Sequence, residues 1–339
     1  MKILRCEENP IIVPGKYDWR AACAFNPGVV LTPNGIFYLY ERAARSLRPF
    51  VCSIGLLSSK DGIHFEHVHD TPILTADMVG YPQGTVQDPR ISLIDGTYYM
   101  TYALEHYHLD CWPNGIGVPE YYYAEHYREW RKNGMESHTT QSGIVSSKDG
   151  INFQQVCFTS PLGIDDRDNI LFPEKINGKF ALLRRPIQFV GPEYGTDRPG
   201  IWITYTEDFK NWSKPELVAC PQAPWEYGRI GGSTTPIKTD EGWLTFYHGV
   251  DSKSTYRLGA MILDLKNPAN VIARSPNFIM EPETYYERFG LVIPNVIFPT
   301  DNVVKDGQIY IYYGCCDVSI GLAIVGVDEM VKYILSYPV

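Results

Sequence analysis

The sequence contains four side chains suited to binding an oxyanion: two arginines, a histidine and a tyrosine. Arg167 lies within Asp165-Asp-Arg-Asp168, and Arg185 ends an apolar run further along the chain. His248 ends a later apolar run in nearly the same way, and Tyr256 follows it closely. Guanidinium groups bind phosphate or carboxylate through paired hydrogen bonds. Taken singly, each arginine is better explained by an ion pair with a nearby carboxylate. The recurrence of these polar positions favours a shared pocket.

Asp88 is the candidate acid, and it directly precedes Pro89-Arg90. A buried carboxyl group with a raised pKa can act as a general acid. The alternative is an aspartate that caps a turn or pairs with Arg90. His106 and His108 occupy alternate positions, as metal ligands on a strand would. No third ligand follows at a suitable spacing, so we predict no metal site.

A repeated strand pattern must position these side chains. A glycine, then a short run of aromatic and aliphatic residues, then an abrupt polar residue recurs five times, at intervals of roughly 60 to 80 residues. Radial repetition of a small sheet produces such a period. We therefore predict an all-β fold, a five-bladed β-propeller, with residues 1–339 forming a single domain. The five glycines are Gly35, Gly96, Gly178, Gly242 and Gly307.

A proline-containing phrase precedes each of these glycines and predicts the start of the innermost strand of each blade, near the channel mouth. The phrases are Asn26-Pro27, Asp88-Pro89, Phe172-Pro173, Thr235-Pro236 and Phe298-Pro299. The longest interval between glycines includes residues 106–134. Proline early in that segment and late Arg/Lys residues predict a helical insertion. It would serve as a substrate lid or as an oligomer contact.

Composition excludes several classes of partner. The chain of 339 residues has a net charge of −9 and no run of basic residues, so we expect neither nucleic acid nor a membrane surface as a partner. The first ten residues lack the apolar stretch of a secretory signal. Eight cysteines lie scattered without a CxxC pair, which is typical of reduced thiols. We expect a cytoplasmic protein.

Seven ordered motifs across nearly the whole chain resemble glycoside hydrolase family 130. They are Asn26-Pro-Gly28, Gln87-Asp-Pro-Arg90, Asp168-Asn-Ile-Leu-Phe-Pro-Glu-Lys175, Arg185-Pro186, Tyr247-His-Gly249, Tyr256-Arg-Leu-Gly-Ala260 and Tyr312-Tyr-Gly-Cys-Cys-Asp317. The resemblance implies a five-bladed propeller, in agreement with the repeat. Most members are phosphorylases that cleave β-mannosides with inorganic phosphate and invert the product to α-mannose 1-phosphate. A minority are inverting β-1,2-mannosidases that use water.

The resemblance also implies roles for individual residues. Asp88 matches the general acid, which is thought to relay a proton through a sugar hydroxyl. The positions that match phosphate ligands are Arg167, Arg185, His248 and Tyr256. The positions that match contacts to the mannosyl unit are Asn26, Arg42 and Asp317. Arg90, Glu174 and Glu226 are further candidates for substrate contact, and the two glutamates could supply a base for hydrolysis.

The four phosphate-type positions favour phosphorolysis over hydrolysis, because phosphate is its own nucleophile and needs no second carboxylate. The other five-bladed glycosidases use three channel carboxylates, whereas the matching positions expected in this chain are Asn26, Asp88 and Thr235. A non-catalytic sugar-binding propeller is a third reading, and the presence of Asp88 disfavours it. We expect manno-oligosaccharide and phosphate as substrates, leaning to β-1,2 over β-1,4 linkages. We expect no cofactor, and a homo-oligomer is compatible with the sequence.

Overall fold

The computed structural model describes residues 3–106, 108 and 140–339, and this part of the chain is built mostly of strands. Five antiparallel sheets follow one another along the chain, and in each sheet the strands are ordered from the central channel outward. The amino-terminal strand is the exception, because it forms the outer edge of the fifth sheet. This arrangement is the predicted five-bladed propeller. The predicted helical insertion at 106–134 lies almost entirely outside the described residues.

The first three sheets contain four strands each, in order from the innermost strand outward. They are β2 (Cys23–Leu31), β3 (Phe37–Ala44), β4 (Cys52–Ser59) and β5 (Glu66–His67); β6 (Thr85–Ile94), β7 (Thr97–Glu105), β8 (Thr140–Ser147) and β9 (Gln154–Phe158); β10 (Asp166–Leu171), β11 (Phe180–Pro186), β12 (Ile201–Thr206) and β13 (Glu216–Ala219).

The fourth and fifth sheets complete the ring. Their strands are β14 (Arg229–Gly232), β15 (Ile237–Thr239), β16 (Gly242–Val250), β17 (Tyr256–Leu263) and β18 (Val271–Arg274); β19 (Ile297–Lys305), β20 (Gln308–Cys315), β21 (Ser319–Gly326) and β1 (Leu4–Arg5). Both β14 and β15 pair with β16. Helices span Tyr285–Arg288 and Val327–Leu335. No helix in the described ranges has the length and apolar character needed to cross a membrane.

The five glycine phrases form the second strand of each sheet: β3, β7, β11, β16 and β20. Their apolar side chains pack between neighbouring sheets. Leu244 and Phe246 of β16, for example, lie fully buried in one cluster with Ile309 and Ile311 of β20. The amino-terminal strand β1 pairs with β21, so the two ends of the propeller sequence share one sheet and close the ring.

The innermost strands carry β-bulges that correct one detail of the sequence interpretation. Asn26-Pro27 and Asp88-Pro89 lie inside β2 and β6, at register shifts, and do not begin those strands. In the third sheet the equivalent shift falls at Asp168, upstream of Phe172-Pro173. Asn26, Asp88 and Asp168 share a left-handed backbone, with φ of 43°, 50° and 53°. Asparagine and aspartate tolerate this conformation best among residues with side chains.

A buried carboxylate fixes the inner strands against one another. Oδ2 of Asp301 in β19 accepts the backbone N–H of Val29 in β2 at 3.1 Å and that of Ile91 in β6 at 3.0 Å. Its Oδ1 accepts the backbone N–H of Thr235 at 3.3 Å. One side chain thus connects the first, second, fourth and fifth sheets. These hydrogen bonds fix the position of β2, which carries Asn26, relative to β6, which carries Asp88.

Candidate active site

Side chains from all five sheets line a pocket of about 340 Å³. Its polar and charged members are Asn26, Arg42, Gln87, Asp88, Glu105, Arg167, Asp168, Arg185, Arg229, His248, Tyr256 and Asp317. Phe50, Val292, Ile293, Val296 and Phe298 supply the apolar part of the wall. The pocket therefore unites residues that lie almost 300 positions apart in the chain, as a propeller channel allows.

Asp88 lies at the centre of one polar group, which we call the acid cluster (Asn26, Arg42, Asp88 and Asp317). Asn26 Nδ2 and Arg42 Nη1 both donate to Asp88 Oδ1, each at 2.8 Å. The left-handed bulges place Asn26 and Asp88 side by side. Both donors bind Oδ1, so Oδ2 accepts no side-chain hydrogen bond from the described residues, and the Asp88 side chain is 18% exposed in the pocket lining.

The acid cluster holds two carboxyl groups of different proton affinity. Burial raises the pKa of Asp88, but the charges of Arg42 and Arg90 and the hydrogen bond from Asn26 outweigh it, so the pKa lies below its usual value. The pKa of Asp317 is raised to about 6, mainly because the group is buried; the charge of Arg42 opposes this shift, and the charge of Asp88 contributes to it. Asp88 is therefore ionised at neutral pH in the ligand-free pocket.

The opposite group, the cation cluster, consists of Arg167, Arg185, Arg229, His248 and Tyr256 around Asp168. Arg167 pairs with Asp165, with Nε and Nη2 donating at 2.9 and 3.0 Å. Arg185 Nε donates to Asp168 Oδ2 at 2.5 Å. Arg185 Nη1 is buried, and no residue in the described part of the chain accepts a hydrogen bond from it. Unsatisfied buried donors are rare in proteins, and one on a charged side chain that lines a pocket indicates an anionic ligand.

Tyr256 and His248 complete this wall. Arg229 donates to the Tyr256 hydroxyl, and the His248 ring stacks on that of Tyr256 with centroids 5.9 Å apart. Burial is the main cause that lowers the pKa of His248 to about 3; the charge of Asp168 opposes this shift, and the charges of Arg185 and Arg229 contribute to it. His248 is therefore neutral at physiological pH and can donate one hydrogen bond without adding charge.

Comparison with known proteins identifies the family that shares this arrangement. A family model described as beta-1,4-mannooligosaccharide phosphorylase matches residues 7–111 and 121–335. The chain belongs to glycoside hydrolase family 130. Its sequence is similar to that of the 1,2-beta-oligomannan phosphorylase of Thermoanaerobacter sp. (strain X514), at 35% identity over 97% of this chain and 99% of that protein.

Two further relatives differ in the linkage that their names give for the substrate. The beta-1,4-mannooligosaccharide phosphorylase of Ruminococcus albus is 31% identical over 99% of this chain and 91% of that protein. The solved beta-1,2-mannobiose phosphorylase of Listeria innocua, in complex with beta-1,2-mannobiose, superimposes with a TM-score of 0.76 at 25% identity. That superposition covers 98% of this chain and 99% of the Listeria chain.

Three predicted substrate contacts of this family 130 protein lie away from the pocket wall. Glu174 is half exposed and pairs with Lys238 at 2.5 Å on the surface. Glu226 is buried at 2% exposure, where it bonds Arg274 and caps a short turn of 3₁₀ helix. Arg90 is buried behind the cation cluster, donating to Asp168 and to the Ser233 carbonyl. The two glutamates are thus not placed to activate water in the pocket.

Three charged residues of the pocket, Glu105, Asp168 and Arg229, were not singled out from sequence. Arg229 opens the short strand β14, which ends in Gly231-Gly232 and has no apolar run to mark it. Asp168 is named from sequence as a potential partner of Arg167 and as the first residue of a family motif, without a role in the site, yet it pairs with Arg185 and Arg90. Asn26, Asp88 and Asp168 all have a left-handed backbone conformation within a bulge. Their shared residue type, asparagine or aspartate on an inner strand, is the signal that could have identified Asp168.

The described residues contain no group of three or more His, Cys, Asp or Glu side chains arranged to hold a metal ion. His106, a possible ligand by its spacing from His108, instead lies 3.0 Å from Gln141 Oε1 through its Nε2. Its ring packs against that of Tyr81 with centroids 4.4 Å apart.

Proposed function

We propose that this family 130 protein cleaves β-mannosides by phosphorolysis with inversion, releasing α-mannose 1-phosphate. The observation that carries the proposal is the cation cluster, above all the buried Arg185 Nη1 that lacks an acceptor among the described residues. A phosphate oxygen supplies that acceptor, and phosphate is also the nucleophile of the reaction. Three guanidinium groups on one wall attract an anion far more strongly than neutral water.

The two clusters suit the two ends of an inverting displacement. The mannosyl unit lies between them, held by Asn26, Arg42 and Asp317, with its glycosidic oxygen toward Asp88. Phosphate on the cation cluster then faces the opposite side of the anomeric carbon. A phosphate oxygen forms the new bond to that carbon as the bond to the leaving sugar breaks, and the leaving oxygen takes up a proton.

Asp88 supplies that proton, and its environment bears on the route. Because it is ionised before substrate binds, Asp88 takes up a proton as the sugar displaces water from the pocket. Its free Oδ2 reaches a sugar hydroxyl, which passes its own proton to the glycosidic oxygen while Asp88 replaces it. Asn26 and Arg42 stabilise the carboxylate that results.

We further propose β-1,2-linked manno-oligosaccharides as the substrates. The relative that is 35% identical acts, by its name, on 1,2-beta-oligomannan, and the solved relative with a TM-score of 0.76 binds beta-1,2-mannobiose. The relative named for β-1,4 linkages is 31% identical. The preference is therefore to be tested against both linkages.

We propose that phosphate is the only co-substrate and that no cofactor takes part. We also propose a cytoplasmic location. The location is supported by the cysteines: all seven that the structure describes are unpaired thiols, which is the form that a reducing compartment maintains.

The deciding experiment measures products with and without phosphate. The enzyme is incubated with β-1,2-mannobiose or β-1,4-mannobiose, and mannose 1-phosphate and free mannose are separated and quantified. We expect mannose 1-phosphate only when phosphate is present, and faster turnover of the β-1,2 disaccharide. Release of free mannose at the same rate without phosphate would identify a hydrolase instead.

A further inference from the structure

A carboxylate lies in the middle of the cation cluster. Asp168 Oδ2 is 2.5 Å from Arg185 Nε and 3.6 Å from His248 Nε2, and its Oδ1 is 3.2 Å from Arg90 Nη2. The side chain is 3% exposed, yet it contributes to the pocket wall. A negative charge at a site that binds an anion weakens the attraction for every dianion. The presence of a carboxylate in this wall therefore needs a physical explanation.

The backbone fixes this carboxylate in place. Asp168 has the left-handed φ of 53° in the bulge of β10. Strand β14 of the next sheet leaves room for the Asp168 side chain only because residue 231 is glycine. A Cβ at that position would overlap Asp168 Oδ2 and lie 2.6 Å from His248 Cε1. Arg185 on Oδ2 and Arg90 on Oδ1 hold the two oxygen atoms of Asp168 in this position.

Asp168 offers acceptors and no donor. Burial raises its pKa, but Arg185, His248 and Arg90 together lower it far below the ordinary value for aspartate. Each oxygen of an ionised carboxylate has two lone-pair positions. Among the described residues, Arg90 occupies one position on Oδ1, and Arg185 occupies one on Oδ2 at hydrogen-bond distance. Capacity remains for a hydrogen bond from a ligand that carries a proton.

We propose that Asp168 makes the site selective for a protonated oxyanion, by accepting a hydrogen bond from the P–OH group of phosphate and repelling sulfate. The inference rests on the assignment of the cation cluster as the phosphate site. Hydrogen phosphate and sulfate share their tetrahedral shape and their charge of −2, so the arginines attract both equally. Only an acceptor without a proton distinguishes them, because sulfate at neutral pH has no hydrogen to donate.

The selectivity has a second consequence for the reaction. With the P–OH group held at Asp168, the unprotonated oxygens of phosphate point toward Arg185, Arg229 and the sugar. The attacking atom is then an unprotonated oxygen, which is the better nucleophile.

The size of the selectivity follows from known enzymes. A site built to bind a substrate hydroxyl rejects an analogue that lacks it by about 10⁴- to 10⁵-fold. Because this pocket is partly open, we expect at least about 100-fold preference for phosphate over sulfate.

Calorimetric titration of the whole protein tests the proposal without any turnover. Phosphate, arsenate and sulfate are titrated separately at pH 7, with ionic strength held constant by chloride. We expect phosphate and arsenate, which both carry a proton, to bind with similar Kd, and sulfate to bind at least about 100-fold more weakly. Sulfate binding within threefold of phosphate in the unaltered protein overturns the proposal. This comparison does not depend on any variant folding.

Asp168→Asn and a matched control locate the effect. The amide can donate to sulfate, so we expect the variant to bind sulfate more tightly and phosphate more weakly, and the preference to fall below about tenfold. Asp166→Asn alters another buried aspartate of the same strand, which pairs with Arg184 at 2.6 Å outside the pocket lining. It should keep the full preference. An unchanged preference in folded Asp168→Asn, or an equal loss in Asp166→Asn, refutes the role of Asp168.

The outcomes separate this inference from the proposed function. If phosphate binds selectively but no mannose 1-phosphate forms, phosphorolysis fails while the role of Asp168 stands. If mannose 1-phosphate forms but sulfate competes equally with phosphate, the role of Asp168 fails while phosphorolysis stands.

Discussion

Replacing Arg185 by alanine is the most direct test of how the protein holds phosphate. The side chain is 4% exposed, its Nε is bound to Asp168, and its Nη1 has no acceptor in the described part of the chain. We assign that Nη1 to a phosphate oxygen. One hydrogen bond to a charged group contributes about 1.5–3 kcal/mol, and each 1.4 kcal/mol corresponds to a factor of ten. The KM for phosphate should therefore rise by about 10- to 150-fold.

The assay measures initial rates of mannose 1-phosphate release over a range of phosphate concentrations, at saturating β-1,2-mannobiose. The KM for the disaccharide should change little, because Arg185 lies on the cation cluster and not on the acid cluster. Phosphate titration by calorimetry should show the same loss in Kd, which separates binding from the chemical step.

The neighbouring Arg184 supplies a matched control. It is buried at 6% exposure and pairs with Asp166, but it does not line the pocket. Both alanine variants break a buried ion pair and should lower the thermal midpoint, since such losses cost about 3–5 kcal/mol. Only Arg185→Ala should raise the KM for phosphate. If folded Arg185→Ala keeps a KM within twofold of the unaltered protein, or if Arg184→Ala raises it as much, the assignment of the cation cluster is refuted.

Four further variants probe the rest of the site. Asp88→Asn should lower kcat by at least about 100-fold in the product assay, since it removes the acid, and near-normal turnover would exclude that role. Gly314→Ala would place a Cβ in overlap with Asn26 Oδ1 and push Asn26 off Asp88, so we expect a comparable loss of kcat, with the fold checked by circular dichroism. Glu226→Gln should lower the thermal midpoint yet leave kcat within about threefold; a large loss of kcat would return Glu226 to the catalytic machinery. His248 has a folded pKa of about 3 against 6.5, so between these values the unfolded chain binds more protons and stability falls as the pH is lowered; His248→Gln should lose less stability between pH 6.5 and pH 4, as measured by urea titration.

The propeller could be predicted because its signals are local in sequence. Each second strand begins after a glycine turn and carries an uninterrupted aromatic or aliphatic run, so the five copies are visible without any knowledge of contacts. A hairpin turn of sequence Ser59-Lys-Asp-Gly62 recurs as Ser147-Lys-Asp-Gly150. In both copies the serine hydroxyl donates a hydrogen bond to the aspartate in the turn. Such turns depend on residues a few positions apart.

Equivalent positions on the inner strands were harder to predict, because the position of a bulge depends on how two strands pair and not on the sequence of one strand. Proline phrases aligned Asn26 and Asp88 correctly with each other, but they led to Phe172-Pro173 in the third sheet. The equivalent residue is Asp168, as the register of β10 against β11 shows. The fold therefore supplies two carboxylates and an asparagine at the three bulges of the first three sheets. The composition of this triad differs from the one expected from sequence.

Long-range ion pairs account for the other errors. Glu226 stands between Trp225 and Tyr227, as a sugar contact often does, but Arg274 and the Tyr247 hydroxyl bind it inside the fourth sheet. These partners are distant in sequence, and their approach depends on how the strands pack. The residues adjacent to Glu226 in sequence therefore do not indicate that it is bound to Arg274 and Tyr247.

The balance of charge in the cation cluster is the strongest physical argument for an anionic co-substrate. Arg185 and Arg90 share the single carboxylate of Asp168, and within the described residues no carboxylate lies within ion-pair distance of Arg229. Burial lowers the pKa of Arg229, the charges of Arg185 and Arg167 lower it further, and Tyr256 and Asp168 oppose them. A buried excess of positive charge is costly unless a counter-charge fills the site. Water cannot supply that charge, whereas hydrogen phosphate supplies two negative charges and, in its P–OH group, a donor whose hydrogen bond Asp168 can accept.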